Sequence, residues 1–294
     1  MKINVITVCY NESIFIEYQY KLLKKFLQND FSFYIYDNSP DDFNISNDIK
    51  TICEKHNLNY TRIPQQKIRG DASVEAGRSL DFAIDHNIQN FYSDYGLILD
   101  SDMFLVKPLN FMNRINSDFV GVKQVRDHVF YYNNQLCFLN FKKLIDFDKC
   151  KKFYPGAIDS IMCDCGGYLY YYFTKNTNIT HSGFEKIICS GTITDRDIDN
   201  KGFIKKIDLV EFINNDEKLK NFYKREIEIS YLNGTKNPIT GPKSNYGVSE
   251  GTAFSEIFDE TFLHFRAGSN WIGHTEKTRI ERKQNLFNYF DSIL

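Results

Sequence analysis

The chain has 294 residues, with 36 Lys and Arg against 38 Asp and Glu and a formal net charge of −2 at pH 7. This near balance, without a basic block, predicts that neither nucleic acid nor an anionic membrane surface is a partner. Aromatic residues make up 16% of the chain, so we expect a core built largely of rings. The length allows one large domain or two fused halves.

Targeting signals and disulfides are not expected. The N-terminal MKINVITVCYNE lacks a signal-peptide pattern, and no apolar run reaches the roughly 18 residues of a membrane-spanning helix. The seven cysteines are scattered, and the close pair Cys163 and Cys165 has no second pair at zinc-site spacing. We therefore predict a soluble cytoplasmic protein, without an integral membrane segment, whose cysteines are reduced and mostly buried.

Strands and helices alternate in the first third of the chain. Apolar and β-branched runs predict strands at residues 2–9, 31–36 and 58–63. Helical spacing of apolar residues predicts helices at about 13–28 and 45–56 between them. This alternation is typical of a parallel, doubly wound α/β sheet.

The stretch YGLILDSDMFLVKP, residues 95–108, follows a helix predicted at 74–87 and is the most informative part of the sequence. A short apolar run ends in Asp100 and Asp102. In open α/β sheets the carboxyl ends of strands border the ligand cleft, so both carboxylates are expected there. Two adjacent carboxylates repel each other, and Mg²⁺ or Mn²⁺ neutralises them while keeping positions for a diphosphate. A helix N-cap or a solvated turn is the alternative.

Beyond Pro108 the predicted elements are shorter and include a mixed-sheet extension. Residues 233–249 are rich in Gly, Pro, Asn and Ser, which is typical of a long loop and makes it a candidate lid. The other predicted elements are strands at 118–125, 129–132, 135–139 and 262–265, an aromatic helix at 168–173, an amphipathic helix at 219–229 and a closing helix at 275–293.

Four segments resemble the GT-A-fold nucleotide-sugar glycosyltransferases of the family-2-like group. They are VITVCYNE, YIYDNSPDD, EAGRSLDFAI and LILDSDMFLVKP, and the ending HFRAGSNW is similar to the metal-binding tail of such enzymes. The resemblance implies an α/β fold of GT-A type, a Rossmann-like doubly wound mixed sheet with helices on both faces. It also implies a donor-binding half at 1–125 and an acceptor half at 126–294 that carries the metal-ligand tail and the closing helix, in one continuous domain.

The resemblance further implies roles on the donor side of the cleft. Val8 and Tyr10 are expected against the nucleobase of a nucleotide-sugar donor, and Asp37 on the hydrogen-bonding edge of that base. Arg78 is expected beside the donor diphosphate.

Residues of the D-x-D motif and of the C-terminal tail are expected at the metal. By the resemblance, Asp100 reaches the ribose or a metal-bound water, with Ser101 beside the donor, and Asp102 binds Mn²⁺ or Mg²⁺ directly. His264 completes the metal ligands, and Asn270 offers a donor to phosphate oxygens. A histidine satisfied by protein partners at a strand end is the alternative for His264.

The implied reaction moves a sugar from a nucleoside-diphosphate sugar, with UDP favoured over GDP, to a hydroxyl of a glycan or other glycoconjugate acceptor. The metal ion would neutralise charge that grows on the leaving phosphate. An inverting enzyme also needs a carboxylate to take the proton of the acceptor hydroxyl. Asp164 is the first candidate and Asp159 the second, and an N-cap of the following helix is an equal alternative for Asp164.

Three other functions share parts of this pattern. An HAD-like phosphatase would use Asp100 as a covalent nucleophile, but its motif lies in the first strand and has Thr or Val where this chain has Phe104. A nucleotidyltransferase shares the fold and the metal but needs a Gly-rich first loop. A non-catalytic nucleotide-sugar-binding domain keeps the cleft without turnover.

Overall fold

The computed structural model describes residues 2–40, 43–65, 71–90, 94–184, 187–189, 215–232, 255–265 and 276–294. The helices in these ranges are α1 (Ser13–Phe26), α2 (Phe43–Lys55), α3 (Ala72–Asn90), α4 (Phe111–Arg114), α5 (Leu169–Lys175), α6 (Glu217–Leu232) and α7 (Glu276–Ile293), with a 3-10 turn at Phe147–Lys149. The strands are β1 (Lys2–Cys9), β2 (Asp30–Asp37), β3 (Asn59–Arg62), β4 (Tyr95–Asp100), β5 (Met103–Leu105), β6 (Phe119–Arg126), β7 (Val129–Asn140), β8 (Gly156–Ile158), β9 (Ile161–Cys163), β10 (His181–Gly183), β11 (Ile187–Cys189), β12 (Glu256–Phe258) and β13 (Phe262–His264).

The main sheet has seven strands in the order β10, β6, β7, β4, β1, β2, β3. Strands β1, β2, β3 and β4 are parallel, whereas β7 runs antiparallel to both of its neighbours, β4 and β6. Strand β10 pairs in parallel with β6 at the edge. The predicted fold class, an α/β doubly wound mixed sheet, is confirmed.

Helices cover both faces of this sheet, which explains why β1 is an almost continuous apolar run. Ile3 and Val5 of β1 pack in one apolar cluster with residues of α1 and α2. Ile6 points to the opposite face and packs with Ala83 of α3. The alternation along β1 therefore places α1 and α2 on one face and α3 on the other.

A second, four-stranded sheet joins the C-terminal part of the chain to the middle, in the order β11, β12, β13, β5. Helix α7 packs beside it through aromatic rings, as the composition predicts. The ring of Phe104 in β5 lies 4.6 Å from that of Phe290 in α7 and 5.5 Å from that of Phe15 in α1. Arg282 of α7 also forms a fully buried ion pair with Glu226 of α6, at 2.9 Å.

Two features of the middle of the chain differ from the prediction. The strands predicted at 129–132 and 135–139 are one strand, β7, which pairs with β6 on both sides of a register shift between Gly121 and Val122. The polar residues 133–134, which separate the two predicted strands, lie at an irregularity within β7. The three-residue strands β8 to β12 were not predicted, because so short a segment shows no periodicity.

The described helices include none that is long and apolar enough to cross a membrane. All six cysteines whose side chains are described are free thiols, and five of them are buried, as predicted. The predicted loop at 233–249 lies outside the described residues.

Candidate functional site

The carboxyl ends of β1, β2 and β4 lie together at one edge of the main sheet. In the strand registers, Cys9 stands opposite Asp37, and Val8 stands opposite Asp100. Tyr10 follows β1 directly and is 37% exposed. The edge therefore brings together the residues expected to contact the nucleobase and the first carboxylate of the D-x-D motif.

Gln19 of α1 stabilises the turn from Asp100 to Asp102 through hydrogen bonds to its backbone. The buried Gln19 amide donates from Nε2 to the carbonyl oxygens of Asp100, at 2.7 Å, and of Met103, at 2.8 Å. The backbone N–H of Ser101 donates to Oδ1 of Asp100, at 2.8 Å. These bonds fix the path of the chain on both sides of the two carboxylates.

His264 reaches this turn from the C-terminal part of the chain. Strand β13 pairs antiparallel with β5, so that His264 stands opposite Met103. Its Nε2 lies 3.3 Å from Oδ1 of Asp102, and its Nδ1 lies 2.8 Å from Oε2 of Glu256 in β12. The backbone N–H of Phe265 donates to the carbonyl oxygen of Asp102, at 2.8 Å. The expected return of the chain over the D-x-D turn is thus present.

Burial and charge shift the protonation of this cluster. Burial, and then the negative charge of Asp102, raise the pKa of Asp100 to about 7. Burial alone would lower the pKa of His264, but Asp102 and Glu256 outweigh it and raise this pKa to about 10. Near neutral pH His264 is therefore an imidazolium ion between two carboxylates.

The carboxylates of Asp100 and Asp102 and the imidazole of His264 suit a hard divalent cation, although the three side chains are not already arranged as a metal site. In the described part of the chain, no three His, Cys, Asp or Glu side chains form a ready metal site. Nε2 of His264 faces Asp102, so in the metal-free protein its proton lies where a shared cation would bind both groups. The bond from Nδ1 to Glu256 is the kind that orients metal-binding histidines. Once His264 loses that proton, the side chains of Asp100, Asp102 and His264 are therefore suitable ligands for a divalent cation.

Asp37, expected on the nucleobase, is fully buried and bonded within the protein. Its Oδ1 accepts from the backbone N–H of Ser39 at 2.9 Å. Its Oδ2 accepts from the hydroxyl of Tyr60 at 3.0 Å and lies 3.0 Å from Nη1 of Arg62. Arg62 also donates to the carbonyl oxygen of Pro40. Asp37 therefore shapes the loop after β2, in addition to any contact with a ligand.

Arg78, expected beside the diphosphate, lies on α3 facing the same edge of the sheet. Its Nη2 bonds to Oε2 of Glu75 at 2.8 Å and to Oδ1 of Asn38 at 3.4 Å. Asn38 follows Asp37 directly, so Arg78 connects α3 to the loop after β2. Val8 is half-buried in β1 beside this loop.

The two candidate bases lie in different surroundings. Oδ1 of Asp164 accepts from the hydroxyl of Ser73 in the first turn of α3, at 2.8 Å. The pKa of the buried Cys165 thiol is raised by burial and then by the charges of Asp164 and Asp100, so both carboxylates lie within electrostatic reach of it. The N-cap interpretation of Asp164 is wrong, because the N-cap of α5 is Tyr168.

Asp159 lies at the exposed tip of the hairpin between β8 and β9, in a left-handed conformation with φ 48°. Its Oδ2 lies 3.3 Å from Nε2 of His128. Asn270, the phosphate donor expected in the tail, lies outside the described residues, as do Arg266, Ser269 and Trp271.

Two residues of the site were not predicted. Gln19 is a buried polar residue on the apolar face of α1, which is a detectable signal in the sequence. Glu256 lies in a strand of only three residues, and nothing in the local sequence distinguishes it as a functional residue.

Comparisons with known proteins yield similar structures only. No family model matches the sequence, and no curated protein sequence matches it. One similar structure is the mannosyltransferase PcManGT from Pyrobaculum calidifontis in complex with GDP-Man and Mn²⁺, at 14% identity and a TM-score of 0.39, covering 80% of this chain and 65% of that chain. Another is the 1–349 segment of S. aureus TarS, at 21% identity and a TM-score of 0.29, covering 44% of this chain and 37% of that chain. The chain thus spans less than two thirds of either structure.

Proposed function

We propose that the chain is a metal-dependent glycosyltransferase that moves a sugar from a nucleoside-diphosphate sugar to a hydroxyl of a glycan or glycoconjugate. One observation carries the proposal: two carboxylates at the carboxyl end of a central strand meet a histidine from a distant strand, with 3.3 Å between Asp102 Oδ1 and His264 Nε2. Burial, and then the negative charge of Asp102, raise the pKa of Asp100, and a divalent cation would stabilise the ionised carboxylate.

In this proposal Asp100, Asp102 and His264 hold Mn²⁺ or Mg²⁺. The cation, when bound, supplies neutralisation of the charge that grows on the departing diphosphate. Glu256 orients the His264 ring, and Gln19 fixes the turn that presents the carboxylates. These hydrogen bonds hold the metal-binding atoms of His264 and of the two carboxylates in place before the cation binds.

The donor half, residues 1–125, is proposed to bind the nucleotide. The nucleobase lies beside Val8 and Tyr10 and next to the loop that Asp37 holds, and Ser101 and Arg78 lie towards the diphosphate. UDP is favoured over GDP. The acceptor half, residues 126–294, supplies Asp164 as the base and His264 as a metal ligand. The free thiols agree with a reaction in the reducing cytoplasm.

The decisive experiment measures donor turnover and donor binding in parallel. UDP-glucose, UDP-N-acetylglucosamine, UDP-galactose and GDP-mannose are each incubated with the protein, with Mn²⁺ or with EDTA, and release of UDP or GDP is followed. We expect release with one donor, only when metal is present, together with a higher unfolding temperature in that mixture. Metal-dependent stabilisation without release would identify a binding domain instead.

The phosphatase alternative is tested with the same protein preparation. An HAD-like enzyme would hydrolyse p-nitrophenyl phosphate with Mg²⁺ and would lose that activity in Asp100→Asn. We expect no such hydrolysis, because β4 is the fourth strand along the chain and Asp100 already accepts the backbone N–H of Ser101.

A further inference from the structure

A row of three tyrosine rings begins next to the proposed base and leads to the protein surface. Ring centroids of Tyr154 and Tyr168 are 6.5 Å apart with planes at 71°, and those of Tyr168 and Tyr171 are 5.8 Å apart with planes at 65°. Tyr154 and Tyr168 are half-buried, and Tyr171 is 48% exposed. We call Tyr154, Tyr168 and Tyr171 the tyrosine row.

The inner end of the row lies at the candidate site. Tyr168 donates its backbone N–H to the carbonyl oxygen of Tyr154, and the neighbouring Gly167 donates its own to the carbonyl oxygen of Asp164. The charges of Arg78 and Glu75 act on the phenol of Tyr154, so this ring also lies near the first turns of α3. The row therefore leads from the neighbourhood of Asp164 and α3 to the protein surface.

The backbone below the row is adapted to these rings. A Cβ atom on Gly156 would lie 2.7 Å from the ring of Tyr168, so the glycine leaves room for this ring beside β8. At the inner end, the ammonium group of Lys151 lies 4.8 Å from the ring centroid of Tyr154. The row thus combines ring faces with a cation and phenolic hydroxyls.

We propose that the tyrosine row binds the acceptor and that the acceptor is a neutral oligosaccharide chain. The C–H groups on one face of a pyranose pack on the electron-rich face of an aromatic ring, while its hydroxyls remain at the rim for hydrogen bonds. A purely apolar partner would bury the phenols and Lys151 without compensation. A chain bound there presents its innermost hydroxyl to Asp164.

This inference rests on the proposed function for its biological meaning, but its test needs no donor. Maltohexaose, cellohexaose and chitohexaose are titrated separately into the protein without nucleotide or metal, and binding is followed by saturation-transfer NMR. The variants are Tyr171→Ala, Tyr171→Phe and Ile145→Ala. Ile145 is 57% exposed and lies outside the row, so its truncation is the matched control. Unfolding temperatures verify that all variants are folded.

We expect one of the three oligosaccharides to bind. Tyr171→Ala should weaken its affinity about fivefold or more, because a stacked ring contributes roughly 1 kcal/mol or more. Tyr171→Phe should retain most of the affinity, and Ile145→Ala all of it. Binding of none of the three, or equal affinities in Tyr171→Ala and the unchanged protein, would overturn the inference. Metal-dependent UDP binding by the same protein tests the proposed function separately, since that measurement does not involve the row.

Discussion

Oδ1 of Asp102 and Nε2 of His264 lie 3.3 Å apart, although the two residues are far apart in the sequence. Both side chains are almost fully buried. Strand β13 brings them together by pairing with β5, immediately after the D-x-D turn. A buried carboxylate and a buried imidazole attract each other strongly only when both are charged. We therefore expect the protonation of His264 to affect both the stability of the fold and the proposed binding of a cation.

Replacing Asp102 should abolish metal-dependent nucleotide binding. Asp102→Asn keeps the volume of the side chain but removes the charge, so we expect the fold to survive and Mn²⁺-dependent affinity for UDP to be lost. Isothermal titration calorimetry measures this. Asp94→Asn is the matched control, because Asp94 precedes the opposite end of β4 and pairs only with the surface Lys142 among the contacts described. Unchanged UDP affinity in Asp102→Asn would remove the residue from the metal site.

Metal binding should release protons near neutral pH. The pKa of His264 is raised to about 10, so its imidazole carries a proton that must leave before Nε2 can bind a cation. Burial and the charge of Asp102 raise the pKa of Asp100, so this carboxylate adds to the proton release. Titrating Mn²⁺ with UDP in buffers of different ionisation enthalpy counts these protons. The count should fall in His264→Gln. A heat that is independent of the buffer would mean that His264 does not bind the metal.

The metal-free protein should lose stability as the pH rises from about 7 to 10. The pKa of His264 in the folded protein is about 10 against an ordinary value of 6.5. Its stabilising contribution is therefore complete below pH 6.5 and is lost as the pH rises through 10. The loss should be on the order of a few kcal/mol. Urea unfolding at successive pH values measures it, and the slope should be smaller in His264→Gln. Equal slopes would contradict the assignment.

Asp37→Ala should weaken UDP binding more than pyrophosphate binding. The variant leaves Arg62, Tyr60 and the N–H of Ser39 without their shared acceptor, so the loop beside the nucleobase loosens. We also expect a stability loss of about 1–3 kcal/mol from these unsatisfied donors. Calorimetry with both ligands and a urea titration provide the numbers. Proportionally equal losses for UDP and pyrophosphate would show that Asp37 has no part in base recognition.

Asp164→Asn should reduce sugar transfer by about 10²–10⁴-fold while retaining UDP affinity, because a general base acts on the acceptor and not on the donor. The amide still accepts a hydrogen bond from Ser73, so the local structure should remain. Asp159→Asn is the comparison, since this exposed residue contacts His128 at the surface. A larger loss of transfer in Asp159→Asn than in Asp164→Asn would exchange the two assignments.

Composition and periodicity sufficed for the parallel half of the fold and for the edge where the site lies. The apolar runs of β1 and β4 are each followed directly by polar residues, which marks the carboxyl ends of these strands. This pattern correctly predicted that Asp100 and Asp102 lie at the carboxyl end of a central strand. The resemblance added the fold type and His264, whose contact with Asp102 no local pattern could reveal.

Other parts of the site depend on contacts between distant residues. The partners of Asp37 come from β3, and the alignment of β2 with β3 is a property of the whole sheet. Glu256 acts through a strand of three residues, which carries no detectable period. The tyrosine row depends on the approach of Tyr154 to Tyr168, two residues that belong to different local segments.

The pairing of β5 with β13 also sets an order of events during synthesis. Once β10 has left the ribosome, every strand of the main sheet is available, and Asp100 and Asp102 are already in place at its edge. Glu256, His264 and the covering helix α7 follow β10 in the chain. A nascent chain can therefore form the main sheet, with Asp100 and Asp102 at its edge, before His264 and Glu256 are available to join them.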